Sequence, residues 1–93
     1  MRLSSHQLET ITAQIYRYDS NAEIYLFGSR VDDNAKGGDI DLLVVSTIID
    51  FAIKIKILAQ LMIKLGEQKI DLVQVNNKDK VFTQIAISEG VLL

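Results

Sequence analysis

The chain has 93 residues, 48% of them hydrophobic, with no cysteine, no proline and a formal net charge of −2. That length supports one compact domain with its own core and excludes two, and the missing cysteines exclude disulfides and thiolate zinc sites. The acidic balance gives no general attraction to nucleic acid, so a polyanionic ligand has to be held locally by metal or by a few placed donors.

The amino-terminal segment MRLSSHQLET lacks the apolar core of a signal peptide, and the expected location is the cytoplasm. Ser5 can cap a first helix running to about Tyr18, with Leu8, Ile11, Ile15 and Tyr18 on one buried face. After the turn cluster Asp19-Ser20-Asn21, the β-formers of Glu23 to Phe27 predict a strand that enters Gly28. Ser29 to about Asn34 reads as a short helical turn, and Ala35 to Gly38 as a loop. Asp39 to Val45 (DIDLLVV) is a second strand, apolar enough after its aspartates to be central.

Asp50 to about Leu65 forms a long helix with Gly66 as its C-cap. The helix is mostly apolar, but Asp50, Lys54, Lys56, Gln60 and Lys64 exclude a membrane span. Lys69 to Val75 (KIDLVQV) is a third strand, and Lys78 to Ser88 a closing helix that ends at Gly90. An apolar tail, Val91-Leu92-Leu93, packs back onto the domain. The order α-β-α-β-α-β-α predicts an α/β (α+β) domain, a small mixed sheet covered by helices on one side.

The chemistry concentrates between Phe27 and Val45, FGSRVDDNAKGGDIDLLVV. Asp39 and Asp41 alternate with Ile40, so both project from one side of the strand, roughly 6–7 Å apart. If the third strand lies beside the second, Asp71 comes within about 5 Å of them. Three carboxylates on one patch repel each other, and a divalent cation removes the conflict; hard oxygen ligands suit Mg²⁺ or Mn²⁺. Two such ions about 3.5–4 Å apart would clamp an in-line displacement at phosphorus. Gly28-Ser29 supplies a turn that lets backbone amides approach a phosphate, with Arg30 and Lys36 as nearby cations. A lone Gly-Ser turn or a lone Asp-x-Asp is weak on its own. Together with a third strand carboxylate they point to a metal and triphosphate site. Asp32-x-Asn34 is no EF-hand start, because Lys36 and Leu43 stand where oxygen ligands belong.

These residues resemble the minimal nucleotidyltransferases of the polymerase-β-like superfamily. That pattern is a Gly-Ser turn, a short helix, an Asp-x-Asp strand and a third Asp on a later strand: here Gly28-Ser29, Asp39-x-Asp41 and Asp71. The resemblance covers essentially the whole chain, as a single domain over residues 1–93. It implies two Mg²⁺ ions on Asp39, Asp41 and Asp71, with Asp71 at the acceptor hydroxyl and Gly28 and Ser29 on the β/γ phosphates. It further implies ATP as donor, and an antitoxin that transfers AMP to a tyrosine of a helical HEPN-type toxin. Other relatives pair with a helical substrate-binding protein. The chain departs from the pattern at Val31-Asp32-Asp33, where many relatives carry a second basic residue. Alternatives from other classes are a stoichiometric antitoxin whose nucleotide site is vestigial or sensing, and transfer to a small molecule or RNA end.

A domain this short has little surface left to enclose an acceptor. A helical wheel of the long helix puts Phe51, Ile55, Leu58, Met62 and Leu65 inward. Ile53, Ile57 and Leu61 then fall among Lys54, Gln60, Lys64 and Asp50, a predicted docking strip for a partner helix or a second copy.

Overall fold

The computed structural model describes all 93 residues, Met1–Leu93. Helix α1 (Ser5–Tyr18) leads to strand β1 (Glu23–Phe27), a 3₁₀ turn (Gly28–Val31) and strand β2 (Ile40–Val45). Helix α2 (Phe51–Leu65), strand β3 (Ile70–Val75), helix α3 (Val81–Glu89) and the two-residue strand β4 (Val91–Leu92) complete the chain. The predicted elements are all present, and the apolar tail docks as β4 on the edge of β1. The first cap is Ser4 rather than Ser5: its hydroxyl accepts from the Gln7 amide while Gln7 reaches back, a capping box.

The sheet order is β3-β2-β1-β4. β1 runs antiparallel to β2, whereas β2 and β3 are parallel. Parallel neighbours cannot be joined by a hairpin, and α2 is the crossover that returns the chain to the start of β3. Asp50 caps α2 by accepting from the Ile53 amide, and Gly66 ends it at φ +75°.

Alternation along the strands sends Ile24, Leu26, Ile40, Leu42 and Val44 into one core with Ile11 and Ile15 of α1. The opposite face carries a smaller cluster, Tyr25, Leu43 and Ala86, under α3. The helices therefore cover both faces, α1 and α2 on one and α3 on the other. This corrects the expected one-sided cover. The physical reason is that Tyr25, Leu43 and Val73 make the aspartate-bearing face apolar beyond its first residues, and α3 covers it there. Phe27 meets Phe82 of α3 edge to face, with ring centroids 6.1 Å apart.

The wheel of α2 is turned relative to the expectation. Ile57 and Leu61 are fully buried and Ile53 packs against the same core, so these three are no docking strip. Phe51, Ile55 and Met62, expected inward, are exposed. The helix carries two apolar stripes of comparable strength, so periodicity alone does not choose between them. The connections Ser46–Asp50 and Gly66–Lys69 aim the Ile57 stripe at the sheet. Ile57→Ala is expected to cost about 2–5 kcal/mol of unfolding free energy, the range for a truncated core aliphatic. Ile63→Ala on the outer face should cost under about 0.5 kcal/mol. Urea denaturation of both variants measures the difference.

Candidate active site

The register of the sheet builds the site. Phe27 sits opposite Asp41 across the antiparallel pair, and Asp41 sits opposite Asp71 across the parallel pair. The three positions form one row, and Gly28 continues the chain from the end of that row. Gly28 has φ +74°, and a Cβ added there would lie 2.5 Å from Asp41 Oδ2. The turn's backbone thus lies directly against the Asp41 carboxylate, an approach that only glycine permits. Gly38, at φ +91°, is packed in the same way against the Ser29 hydroxyl.

Asp41 is half-buried, and its carboxyl titrates above the ordinary carboxylate range. Burial is the main cause, followed by the charge of Asp71, the charge of Asp39 and a hydrogen-bonding contact with Asp71. Asp71, on the exposed edge strand, is therefore the immediate partner of Asp41, as the sequence predicts for adjacent strands. Asp39 precedes β2 rather than belonging to it, and Lys69 Nζ stands 3.4 Å from its Oδ2. As the side chains stand, no three carboxylates converge on a single point. The structure brings two of the predicted ligands together and turns the third toward a lysine.

The residues nonetheless fit a hard divalent cation. Asp41 and Asp71 offer adjacent oxygen donors whose mutual repulsion a cation would relieve, and Asp39 is held only by an exposed ion pair of small worth.

Arg30, expected on phosphate, has a different task. Its Nε donates to the Gly38 carbonyl at 3.2 Å, Nη1 to the Arg2 carbonyl at 3.0 Å and Nη2 to Gln68 Oε1 at 3.0 Å. Arg2 reciprocates: its amide donates to the Arg30 carbonyl at 2.7 Å, and its guanidinium to the carbonyls of Ser29 (2.9 Å) and Asp32 (2.8 Å). The two arginines clasp the Gly28–Val31 turn to Gly38 and to the approach of β3. Arg30 is occupied because the surrounding backbone presents carbonyls that a planar fork satisfies. Lys36 remains exposed on the loop between the turn and Asp39, without an ion-pair partner.

Sequence reasoning missed Arg2, Gln68 and Lys69. The signal for Arg2 was the loop itself: Val31-Asp32-Asp33 lacks a basic residue, and Arg2 brings a guanidinium to that loop from elsewhere in the chain. Asp32 and Asp33 are not idle. Asp32 accepts from the Asn34 amide, and Asp33 pairs with the Met1 amino group.

Residues 9–93 match the sequence model of the family described as "Polymerase beta, Nucleotidyltransferase". The chain belongs to the polymerase-β nucleotidyltransferase family. No curated protein matches the chain. Among solved structures, the fold is similar to a chain in the crystal structure of the toxin–antitoxin MntA-HpeT in a mutant form. That match has a TM-score of 0.70 and 21% identity, and covers 90% of this chain and 69% of that one. At that identity the likeness concerns the fold, here a four-stranded mixed sheet with three helices. No helix of this nucleotidyltransferase domain is long and apolar enough to cross a membrane.

Two outcomes follow from the geometry. Because the folded state raises the Asp41 pKa, the group favours folding below its unfolded value near 3.8 and loses that contribution as pH rises through the raised value. Asp41→Asn should therefore melt a few degrees above the wild type at pH 7, and the gap should close below about pH 4 in thermal scans. Gly28→Ala should lower the melting temperature at every pH, since its Cβ meets Asp41 and its φ is left-handed.

Proposed function

We propose that this domain moves a nucleoside monophosphate from a nucleoside triphosphate, with ATP as the donor, onto a hydroxyl of a partner protein. The observation that carries the reading is the row formed by the Gly28 turn, Asp41 and Asp71. A left-handed glycine turn lies against one carboxylate, and a second, more exposed carboxylate stands beside it.

In this reading the Gly28–Ser29 turn orients the β and γ phosphates, and the Arg2–Arg30 clasp keeps the turn in shape. Asp41 and Asp71 would hold Mg²⁺ or Mn²⁺ with Asp39, which leaves its exposed pair with Lys69. Cations bound there would neutralise charge that develops on the phosphates. Asp71, on the outer strand, faces the acceptor and takes its proton. The acceptor oxygen bonds to the α-phosphorus, the bond to the bridging oxygen breaks, and pyrophosphate leaves. Lys36 is the free cation nearest in sequence to the turn and Asp39, and it is the candidate to meet the departing phosphates.

The match to a toxin–antitoxin structure supports a toxin as the partner; a helical toxin encoded beside this chain, modified on a tyrosine hydroxyl, is what the sequence resemblance implies. A second reading, a binding module that neutralises its partner stoichiometrically, is favoured by one observation. Asp39 faces Lys69, and the carboxylates do not converge.

The experiment is incubation of the chain with the protein encoded beside its gene, Mg²⁺ and each nucleoside triphosphate in turn, followed by intact-mass measurement. The transfer reading expects one or more nucleoside monophosphates on the neighbour, with ATP the best donor. It also expects loss of the adduct with Asp39→Ala or Asp41→Ala in a folded chain, by about 10³-fold or more, as for removal of groups acting in the transition state. Neutralisation that persists in those variants, with no adduct from any nucleotide, selects the stoichiometric reading.

A further inference from the structure

Helix α3 is built the opposite way to an ordinary surface helix. The residues it buries are small, Thr83 and Ala86, whereas Val81, Phe82 and Ile85 are more than half exposed. Packing alone favours the reverse choice, since a large apolar side chain gains most from burial.

Phe82 is set apart by its position. Its ring meets that of Phe27 with centroids 6.1 Å apart and planes at 85°. Rings at right angles cannot stack on one another, so each keeps at least one face that the other does not cover. Phe27 stands opposite Asp41 in the antiparallel pair, about 4.5–5.5 Å away between Cα atoms, and points to the same side of the sheet. The row Asp71, Asp41, Phe27 therefore continues into an exposed aromatic ring. No second exposed ring shares that side. Tyr25 is buried, with its hydroxyl donating to Glu23 at 2.6 Å. Tyr16, Tyr18 and Phe51 belong to α1 and α2, which cover the opposite face.

We infer that Phe82 is the stacking platform for the base of the bound nucleotide, a placement that rests on the triphosphate lying at the Gly28 turn and Asp41. The occupant follows from continuity with that row. A nucleotide with its phosphates there has only its ribose to span before the base reaches the Phe27–Phe82 pair. Every base offers a π-face to such a ring, and Phe27 fixes the ring's orientation. The side chains beside Phe82 on the exposed face, Val81 and Ile85, carry no group that could hydrogen-bond to a base edge. Selection at this platform is by stacking area, purine over pyrimidine.

The chain has no tryptophan, so Phe82→Trp places a single fluorescent reporter on the platform. With Mg²⁺ present, ATP should quench that reporter, and tripolyphosphate, which has no base, should bind without quenching it. In calorimetric titrations Phe82→Ala should weaken ATP by roughly 5- to 100-fold and leave tripolyphosphate within about twofold of the wild type. UTP should bind the wild type more weakly than ATP does, and Phe82→Ala should bring the two together. Phe82→Tyr should retain ATP binding. Circular dichroism checks the fold of each variant, and if Phe82→Ala does not fold, the Phe82→Trp titrations decide. Tripolyphosphate binding with ATP affinity unchanged in Phe82→Ala, or equal quenching by both ligands, overturns this inference and leaves the phosphate site standing. Equal loss of ATP and tripolyphosphate in Phe82→Ala also overturns it, because the ring then supports the turn rather than the base. Failure of both ligands to bind the wild type removes the triphosphate site and the platform with it.

Discussion

Two carboxylates held side by side on neighbouring parallel strands are the constraint around which this domain is arranged. Asp41 and Asp71 share a register position, so their separation is fixed by the hydrogen-bonded spacing of the sheet rather than by flexible side chains. Burial and like charge make Asp41 an uncomfortable anion, and the Gly28 backbone lies directly against it. Such an arrangement opposes stability in the empty protein and gains from a cation. It is the pattern expected of a site shaped for a charged ligand rather than for the fold alone.

The surrounding structure serves to keep that row intact. Parallel pairing of β2 and β3 requires a crossover, and α2 supplies it while burying Ile57 and Leu61 beneath the sheet. Arg2 and Arg30 brace the turn beside Asp41 through the carbonyls of Arg2, Ser29 and Gly38 and the side-chain oxygen of Gln68. One arginine that looks like a ligand in the sequence is thus a brace of the turn. Lys69 plays an opposite part. It pairs with Asp39 through a solvent-exposed contact that a ligand can displace.

Much of this was legible in the sequence where local chemistry decides. β1 begins and ends as its β-formers predict, Gly66 ends α2, and Asp41 and Asp71 meet as expected on the condition that the third strand lies beside the second, which the pairing of β2 with β3 fulfils. What was not legible depended on tertiary choice. In α2, two apolar stripes compete, and only the aim of its connecting loops selects Ile57 over Phe51. α3 covers the aspartate-bearing face because Tyr25 and Leu43 are apolar there, a fact visible only once the strands are paired. Arg2 lies 27 residues from Ser29, beyond any local motif, and its role appears only when the amino-terminal segment crosses the turn.

In the proposed function, the Asp41–Asp71 row and the Gly28 turn form one site for a metal-bound triphosphate. The most direct measurement is a crystal structure of the chain grown with Mn²⁺ and a non-hydrolysable ATP analogue, with an anomalous difference map collected at the manganese edge. The expected result is an anomalous peak within ligand distance of both Asp41 and Asp71, about 2.0–2.4 Å, with the analogue's phosphates against Gly28 and Ser29. Manganese and nucleotide bound elsewhere on the chain, with the carboxylate row empty at saturating ligand, would contradict it.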